Sequence, residues 1–297
     1  MPPLHLIPRP RQCDVGDGRY TLPQQPRITC LGSDVEDLAQ LLAEYLIPVT
    51  GQSAPVAPSD APGDIHLHQT GDDQPDDAGF CDEAYTLSID DAGVRIAALT
   101  SHGLARAIQT LRQLFDPAIY DPAASLDPAD LPHLHIEDHP RLRWRGLHLD
   151  VSRHFFNVDD VCQYIELLAL HRYNTCHLHL TDDQGWRIQI RQYPRLIEVG
   201  SRRDGTLIGH ERDRPRRYDD QPYAGHFTQD DIRRIVAFAR RRRVTVVPEI
   251  DMPGHMSAAI AAYPELGNFP ERPVAVRCHW GISQIGRASC RERVCHR

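Results

Sequence analysis

The apolar run Cys176-His177-Leu178-His179-Leu180 stops abruptly at Thr181-Asp182-Asp183-Gln184-Gly185-Trp186, and that junction constrains the fold more than any other stretch. A short apolar run bounded by turn residues reads as a buried strand. Its far end sets two adjacent carboxylates and a tryptophan where a polar ligand can reach them. The pattern recurs at Val244-Thr245-Val246-Val247, followed by Pro248-Glu249-Ile250-Asp251-Met252-Pro253-Gly254-His255. Two strand ends bearing carboxylates, the second with a histidine, suggest one active-site rim and hence an enzyme.

The order of elements fits such a rim. From Arg141 onward strands are expected at 144–151, 175–180 and 244–247, alternating with helices at 158–170, 230–242 and 256–263. Asn157 and Thr228 are placed to cap the first two helices. This alternation predicts parallel βα units. Residues 1–138 read differently, as short strands at 19–22, 27–30, 65–68, 84–89 and 93–98 with two helices. One helix spans 34–47, with Val35, Leu38, Leu41, Leu42 and Tyr45 on one face; the other begins at Ser101 as cap and turns Leu104, Ile108 and Leu111 inward. The segments 51–64 and 72–77 read as loops, the proline-rich 116–140 as a linker, and the arginines at 240–243 as a solvated helix end.

Composition narrows the function classes. A net charge of −8 argues against a general nucleic-acid binder. No run of 18 apolar residues exists to span a membrane, and the proline-rich start lacks the form of a secretory signal. These features predict a cytoplasmic protein, with export requiring a signal further upstream. Eight cysteines without a C-x-x-C pair read as free thiols. His177 and His179 share one face of their strand beside carboxylates, which also fits a metal site. A metal-dependent barrel hydrolase is therefore a competing reading, and a non-catalytic sugar-binding protein is a third.

Three segments together resemble family-20 glycoside hydrolases, the β-N-acetylhexosaminidases: Arg143-Trp144-Arg145-Gly146-Leu147-His148-Leu149-Asp150-Val151-Ser152-Arg153-His154-Phe155, Tyr173-Asn174 running into Asp182-Asp183, and Pro248 through His255. The resemblance implies an α/β fold, with an N-terminal α+β sheet-and-helix domain at 1–138 and an incomplete (β/α)8 TIM barrel at 139–283. It implies a retaining, substrate-assisted enzyme in which the 2-acetamido oxygen of a terminal GlcNAc or GalNAc acts as nucleophile. The implied partner is an N-acetylhexosamine-containing oligosaccharide, with no cofactor or metal. Asp182 and His255 match a supporting relay behind the catalytic acid. Arg145 matches an arginine clamping two sugar hydroxyls, and Asp183, Glu249 and Trp186 are assigned to substrate binding or to holding loops around it. Each has a plainer alternative: an ion pair with Asp150 for Arg145, an Asx turn for Asp182, a loop anchor for Trp186.

The family's His-x-Gly-Gly-Asp-Glu segment is not found, and the sequence contains no Gly-Gly. Its aspartate orients the acetamide and its glutamate is the acid. Residues 284–297, with four arginines and two cysteines, break from the resemblance and are expected to be a non-native tail. The chain is therefore expected to be an inactive fragment.

Overall fold

The computed structural model describes residues 4–281 apart from 78, 122, 127 and 128, so the expected tail at 284–297 lies outside the described residues. The chain divides into two compact units. The first takes residues up to Arg145 together with Glu166–Asn174 and Arg240–Val244; the second takes Gly146–Ile165, Thr175–Ala239 and the chain from Thr245.

In the first unit seven strands form one sheet: β1 (Gln12–Thr21), β2 (Ile28–Leu31), β3 (Val56–Pro58), β4 (Ile65–Gln69), β5 (Tyr85–Asp90), β6 (Gly93–Ala98) and β7 (Asp130–Asp138), in the order β1-β7-β5-β6-β4-β2-β3. Burial alternates along β5, with Tyr85, Leu87 and Ile89 inward, as a sheet with one covered face requires. Helices α1 (Glu36–Tyr45) and α3 (Ser101–Arg112) touch each other and the sheet, and so share that face; the short α2 (Ile47–Thr50) lies between them in sequence. Leu38, Leu42, Leu104, Ile108 and Leu111 meet Ile65, Leu67, Leu87 and Ile96 in one core. Gly103 allows the close approach of α3, since a Cβ there would lie 2.4 Å from Ala84 O.

Four expectations for this unit change. The segment 51–64, expected to be a loop, contains β3, which pairs in parallel with β2. Part of the supposed linker at 116–140 is β7, lying between β1 and β5. Pro132 is tolerated because it pairs only with Arg19 of β1, while the pairing with β5 begins at Leu134; a proline fits where one side of a strand has no ladder to keep. Thr100, not Ser101, caps α3, accepting from Gly103 N at 3.3 Å. The arginines at 242 and 243 are buried rather than solvated: Arg242 pairs with Glu166, and Arg243 donates to Ser101 Oγ at 2.6 Å and Asp34 O at 2.8 Å.

The second unit is built on β8 (Gly146–Asp150) and β9 (Thr175–Asp182). After β9 the chain turns back in β10 (Gly185–Trp186), pairing Gly185 with Asp182 and Trp186 with Thr181, so Asp183 and Gln184 form a two-residue hairpin turn. Two short hairpins organise the excursion that follows: β11 (Arg202–Arg203) with β14 (Tyr223–Ala224), and β12 (Leu207–Ile208) with β13 (Arg217–Tyr218). The last strand is β15 (Thr245–Ile250), and β8 and β15 flank β9 in parallel. Helices α4 (Val158–Leu170), α5 (Arg195–Glu198), α6 (Gln229–Arg241) and α7 (Ser257–Ala262) intervene or follow. Three parallel strands, each leading to a helix, are what the first part of a (β/α)8 barrel requires.

Both expected caps form. Asn157 Oδ1 accepts from Asp159 N at 2.8 Å and Asp160 N at 3.0 Å, and Asp160 accepts in return from Asn157 N at 3.0 Å. Thr228 and Asp231 make the same reciprocal box, satisfying otherwise orphaned N–H groups. The cysteines at 13, 30, 81, 176 and 278 are free thiols, and burial pushes the Cys176 thiol up to about 12. No helix of the described residues is long and apolar enough to cross a membrane.

Candidate active site

Side chains at the C-terminal ends of parallel barrel strands converge on the mouth. Here those ends bring Asp150 from β8, His179 and Asp182 from β9, and Glu249 from β15 into one cluster, joined by Arg153 and His255 from the loops after β8 and β15. Asp182 is the centre and is 1 % exposed. Its Oδ1 lies 2.9 Å from His255 Nδ1, its Oδ2 lies 2.9 Å from His179 Nε2, and Arg153 pairs with the same carboxylate. Three donor side chains around so deeply buried a carboxyl group compensate its lost hydration. His255 is held there at φ +56°, a left-handed backbone uncommon outside glycine, which marks a position where geometry is kept despite strain.

Asp150 orients the arginine. Its Oδ1 accepts from Ser152 N at 3.0 Å and Arg153 N at 3.1 Å, while its Oδ2 pairs with Arg153 Nη1 at 2.8 Å. Arg153 Nε donates to Gln184 Oε1 at 3.1 Å. Nη1 also lies 3.1 Å from His179 Nε2, so of the five N–H donors on a guanidinium one, on Nη2, is left for a ligand. Beside this arginine opens a cleft of about 380 Å³ lined by Asp150, Arg153, His154, Gln184 and Trp280. Trp280 is 38 % exposed.

His179 bridges two acids, with Nδ1 2.7 Å from Glu249 Oε2 and Nε2 on Asp182. Burial would lower its pKa, but pairing with Asp182 and Glu249 prevails and raises it to about 9. Burial likewise opposes ionisation of Glu249, and pairing with His179 outweighs it and lowers its pKa. Asp251 is raised, by burial first and then by Glu249. His148 is lowered, by burial and by the neighbouring His177 and His179.

His148, His177 and Glu249 present ligand atoms within 4.8 Å of one another, as a metal site would. Glu249 Oε2, however, is 2.6 Å from His177 Nε2 and 2.7 Å from His179 Nδ1. Donors sharing a tetrahedral zinc at ~2.1 Å stand about 3.3 Å apart. The shorter spacing is that of direct contact between the carboxylate and the two imidazoles, although Glu249 Oε2 makes no well-formed hydrogen bond.

A raised histidine has a pH consequence. The folded-state pKa of His179, about 9, exceeds the ordinary 6.5, so its stabilisation is complete below pH ~6.5 and is lost as pH rises through about 9. Allowing for screening, roughly 1–2 kcal/mol is at stake. The melting temperature should fall between pH 6.5 and 9, and His179→Gln should flatten that slope. Parallel curves for the two proteins would show that His179 is not charged at neutral pH.

Not every expected residue reaches the cluster. Arg145 precedes β8 and so sits at the opposite end of the strand from Asp150. Its guanidinium pairs with the buried Glu83 and donates to Arg172 O at 2.8 Å and Leu142 O at 2.7 Å, which leaves Arg153 as the arginine at the mouth. Asp183 is 0 % exposed and accepts from Ser257 N at 2.9 Å and Ser257 Oγ at 2.6 Å, with Arg277 Nη1 3.3 Å away. It ties the β9 turn to α7 and offers a sugar no surface. Trp186, 7 % exposed, packs on Leu196, Ala258, Ala259 and Ala262 and donates Nε1–H to Ile188 O at 2.7 Å. It anchors its loop, and Trp280 is the aromatic at the cleft. Arg153 was legible as an acid–base pair three residues after Asp150; nothing in the sequence distinguishes the exposure of the two tryptophans.

Comparison with known proteins bears directly on this geometry. Residues 4–139 match the family model for glycosyl hydrolase family 20, domain 2, and residues 142–295 match the family-20 catalytic domain. The chain belongs to glycosyl hydrolase family 20. A β-N-acetylhexosaminidase of Cellulomonas fimi is 38% identical over 272 residues, covering 90% of this chain and 49% of the relative. A β-hexosaminidase of Porphyromonas gingivalis is 36% identical over 284 residues, 95% of this chain and 34% of the relative. Among solved structures, the Streptomyces plicatus N-acetyl-β-hexosaminidase in complex with Thio-NAglucal superposes with a TM-score of 0.81 at 37% identity, over 96% of this chain and 53% of that one. A mutant Streptomyces plicatus β-hexosaminidase in complex with the product GlcNAc matches at 0.79 and 37% identity, over 93% and 51%. This family-20 chain thus spans about a third to a half of the length of these relatives.

Proposed function

We propose that this chain carries the sugar-holding part of a β-N-acetylhexosaminidase that releases terminal GlcNAc or GalNAc by a retaining, substrate-assisted route. The observation that carries the reading is the buried Asp182 carboxylate, joined to His255, His179 and Arg153 at the strand ends beside a cleft with an exposed tryptophan. In this reading Arg153, held flat by Asp150 and Asp182, directs its remaining Nη2–H to a sugar hydroxyl, a task suited to a rigid planar guanidinium. Trp280 offers its face to the apolar side of the ring. His255, oriented by Asp182 through Nδ1, keeps Nε2 for a group beyond the cluster and tunes its proton affinity by charge and hydrogen bonding. The acid and the acetamide-orienting carboxylate belong to the Asp-Glu segment that these 297 residues do not contain.

The test is a chimera in which residues 4–281 replace the matching part of the Cellulomonas fimi relative. Asp182→Asn keeps the shape but removes the charge behind His255. It should lower kcat by less than the ~10²–10⁴-fold expected for loss of an acid itself, and it should displace the limbs of the pH–rate profile. A lowered rate with an unmoved profile would leave Asp182 a structural residue and sink the relay.

A further inference from the structure

The two groups assigned to the sugar, Arg153 and Trp280, stand on separate segments of the second unit, and one side chain ties those segments together. Gln184 is the second residue of the hairpin turn between β9 and β10, is 3 % exposed, and lines the same cleft as the two of them. Its Oε1 accepts from Arg153 Nε at 3.1 Å, and its Nε2 donates to His279 O at 2.9 Å, one residue before Trp280. An arginine only donates and a carbonyl only accepts. The group between them must therefore accept at one end and donate at the other, which fixes the orientation of the amide.

The amide springs from a fixed base. Gln184 O accepts from Arg203 Nη1 at 3.2 Å and from the buried Arg187, Nη2, at 3.4 Å. Both arginines also hold the loop after β8: Arg187 donates to Ser152 O at 2.8 Å and Arg203 to Arg153 O at 3.0 Å. A side chain whose backbone is held this way can place its partners closely. The other segment is docked in three successive steps. Arg277 N donates to Asp183 O at 3.0 Å, Leu207 N donates to Cys278 O at 2.8 Å, and the Gln184 amide donates to the next carbonyl, that of His279. Trp280 comes immediately after the last of these ties. Leaving a buried amide unpaired costs more than the bond itself contributes, so the two ends of the bridge hold together.

We propose that Gln184 is a positioning residue that sets the separation of Arg153 and Trp280 across the cleft, and so governs how tightly an N-acetylhexosamine is held. The inference rests on the sugar-holding reading given above. A sugar must meet a donor at its rim and an aromatic surface on its face at the same time, and the amide keeps those two contacts in register. Methionine at this position would keep the shape and lose both hydrogen bonds. Glutamate would still accept from Arg153 but would set a carboxylate oxygen against His279 O.

Fluorine NMR on the 297-residue chain labelled with 5-fluorotryptophan tests this. The three tryptophans give three lines, and Trp280→Phe identifies the one that matters. Without sugar, Arg153→Ala should move the Trp280 line, and the movement should vanish when Gln184→Met is already present, because the amide transmits it. With GlcNAc added, the Trp280 line should shift saturably in the unsubstituted chain, and Gln184→Met should raise the Kd at least about fivefold. Gln184→Glu should displace the Trp280 line and raise the Kd by a similar factor, and it carries the test if the methionine variant does not fold. An Arg153→Ala movement that persists in the Gln184→Met background, or an unchanged Kd in the Gln184 variants, would overturn the inference and leave the sugar-holding reading standing. Absence of any GlcNAc-dependent shift at Trp280 in the unsubstituted chain would overturn that reading and this inference together.

Discussion

The 297-residue chain on its own is expected to release no 4-nitrophenol from 4-nitrophenyl N-acetyl-β-D-glucosaminide above the uncatalysed background, while the Cellulomonas fimi chimera turns it over. The carboxylates that the chain does bring to the strand ends are committed to other work. Asp182 is enclosed by His255, His179 and Arg153, Asp183 holds Ser257, and Glu249 is kept ionised by His179. An acid alone contributes about 10²–10⁴-fold, and loss of the carboxylate that orients the acetamide compounds this. Comparable turnover by chain and chimera would overturn the expectation. It would point to Asp251, whose carboxyl is raised by burial and by Glu249, as an acid supplied from within these residues.

The second large effect separates two arginines eight positions apart. In the chimera, Arg153→Ala should cut kcat/KM by roughly 10–10²-fold, the loss of one charged hydrogen bond to sugar at ~1.5–3 kcal/mol. Arg145→Ala should leave kcat/KM near the parent value but lower the melting temperature, because the buried Glu83 loses one of its two arginine partners. Since Arg106 remains, that cost should be about 1–3 kcal/mol rather than the full cost of an orphaned buried charge. Steady-state kinetics and thermal melts on both variants decide the matter. A kinetic defect in Arg145→Ala with none in Arg153→Ala would restore the original assignment.

The strands around Asp182 and Glu249 were legible because their apolar runs are short, bounded and rich in β-formers, and the helix caps at Asn157 and Thr228 because a cap acts within four residues. The site residues were legible by motif but not by direction. Arg145 and Arg153 both lie near β8, and only the parallel run of the strand from Gly146 to Asp150 decides which arginine reaches the mouth. Non-local facts were not legible. β7 hid behind its proline because the sequence does not show which strand flanks which edge. The arginines at 242 and 243 looked like a solvated helix end because their partners, Glu166, Ser101 and Asp34, lie 76 to 209 residues away in sequence.

Those distant partners bear on how the protein could be taken apart. The first unit is completed by two later returns of the chain, Glu166–Asn174 and Arg240–Val244. Arg241 grips Glu44 with paired bonds of 2.8 and 2.9 Å, Tyr45 OH donates to Glu166 at 3.0 Å, and Arg106 reaches the carbonyl of Arg243. A recombination crossover or protease cut near residue 140 would therefore fall between sequence segments but through the middle of a folded body. In lineage shuffling, the N-terminal domain could change hosts only if the new host brought helix ends with matching charges.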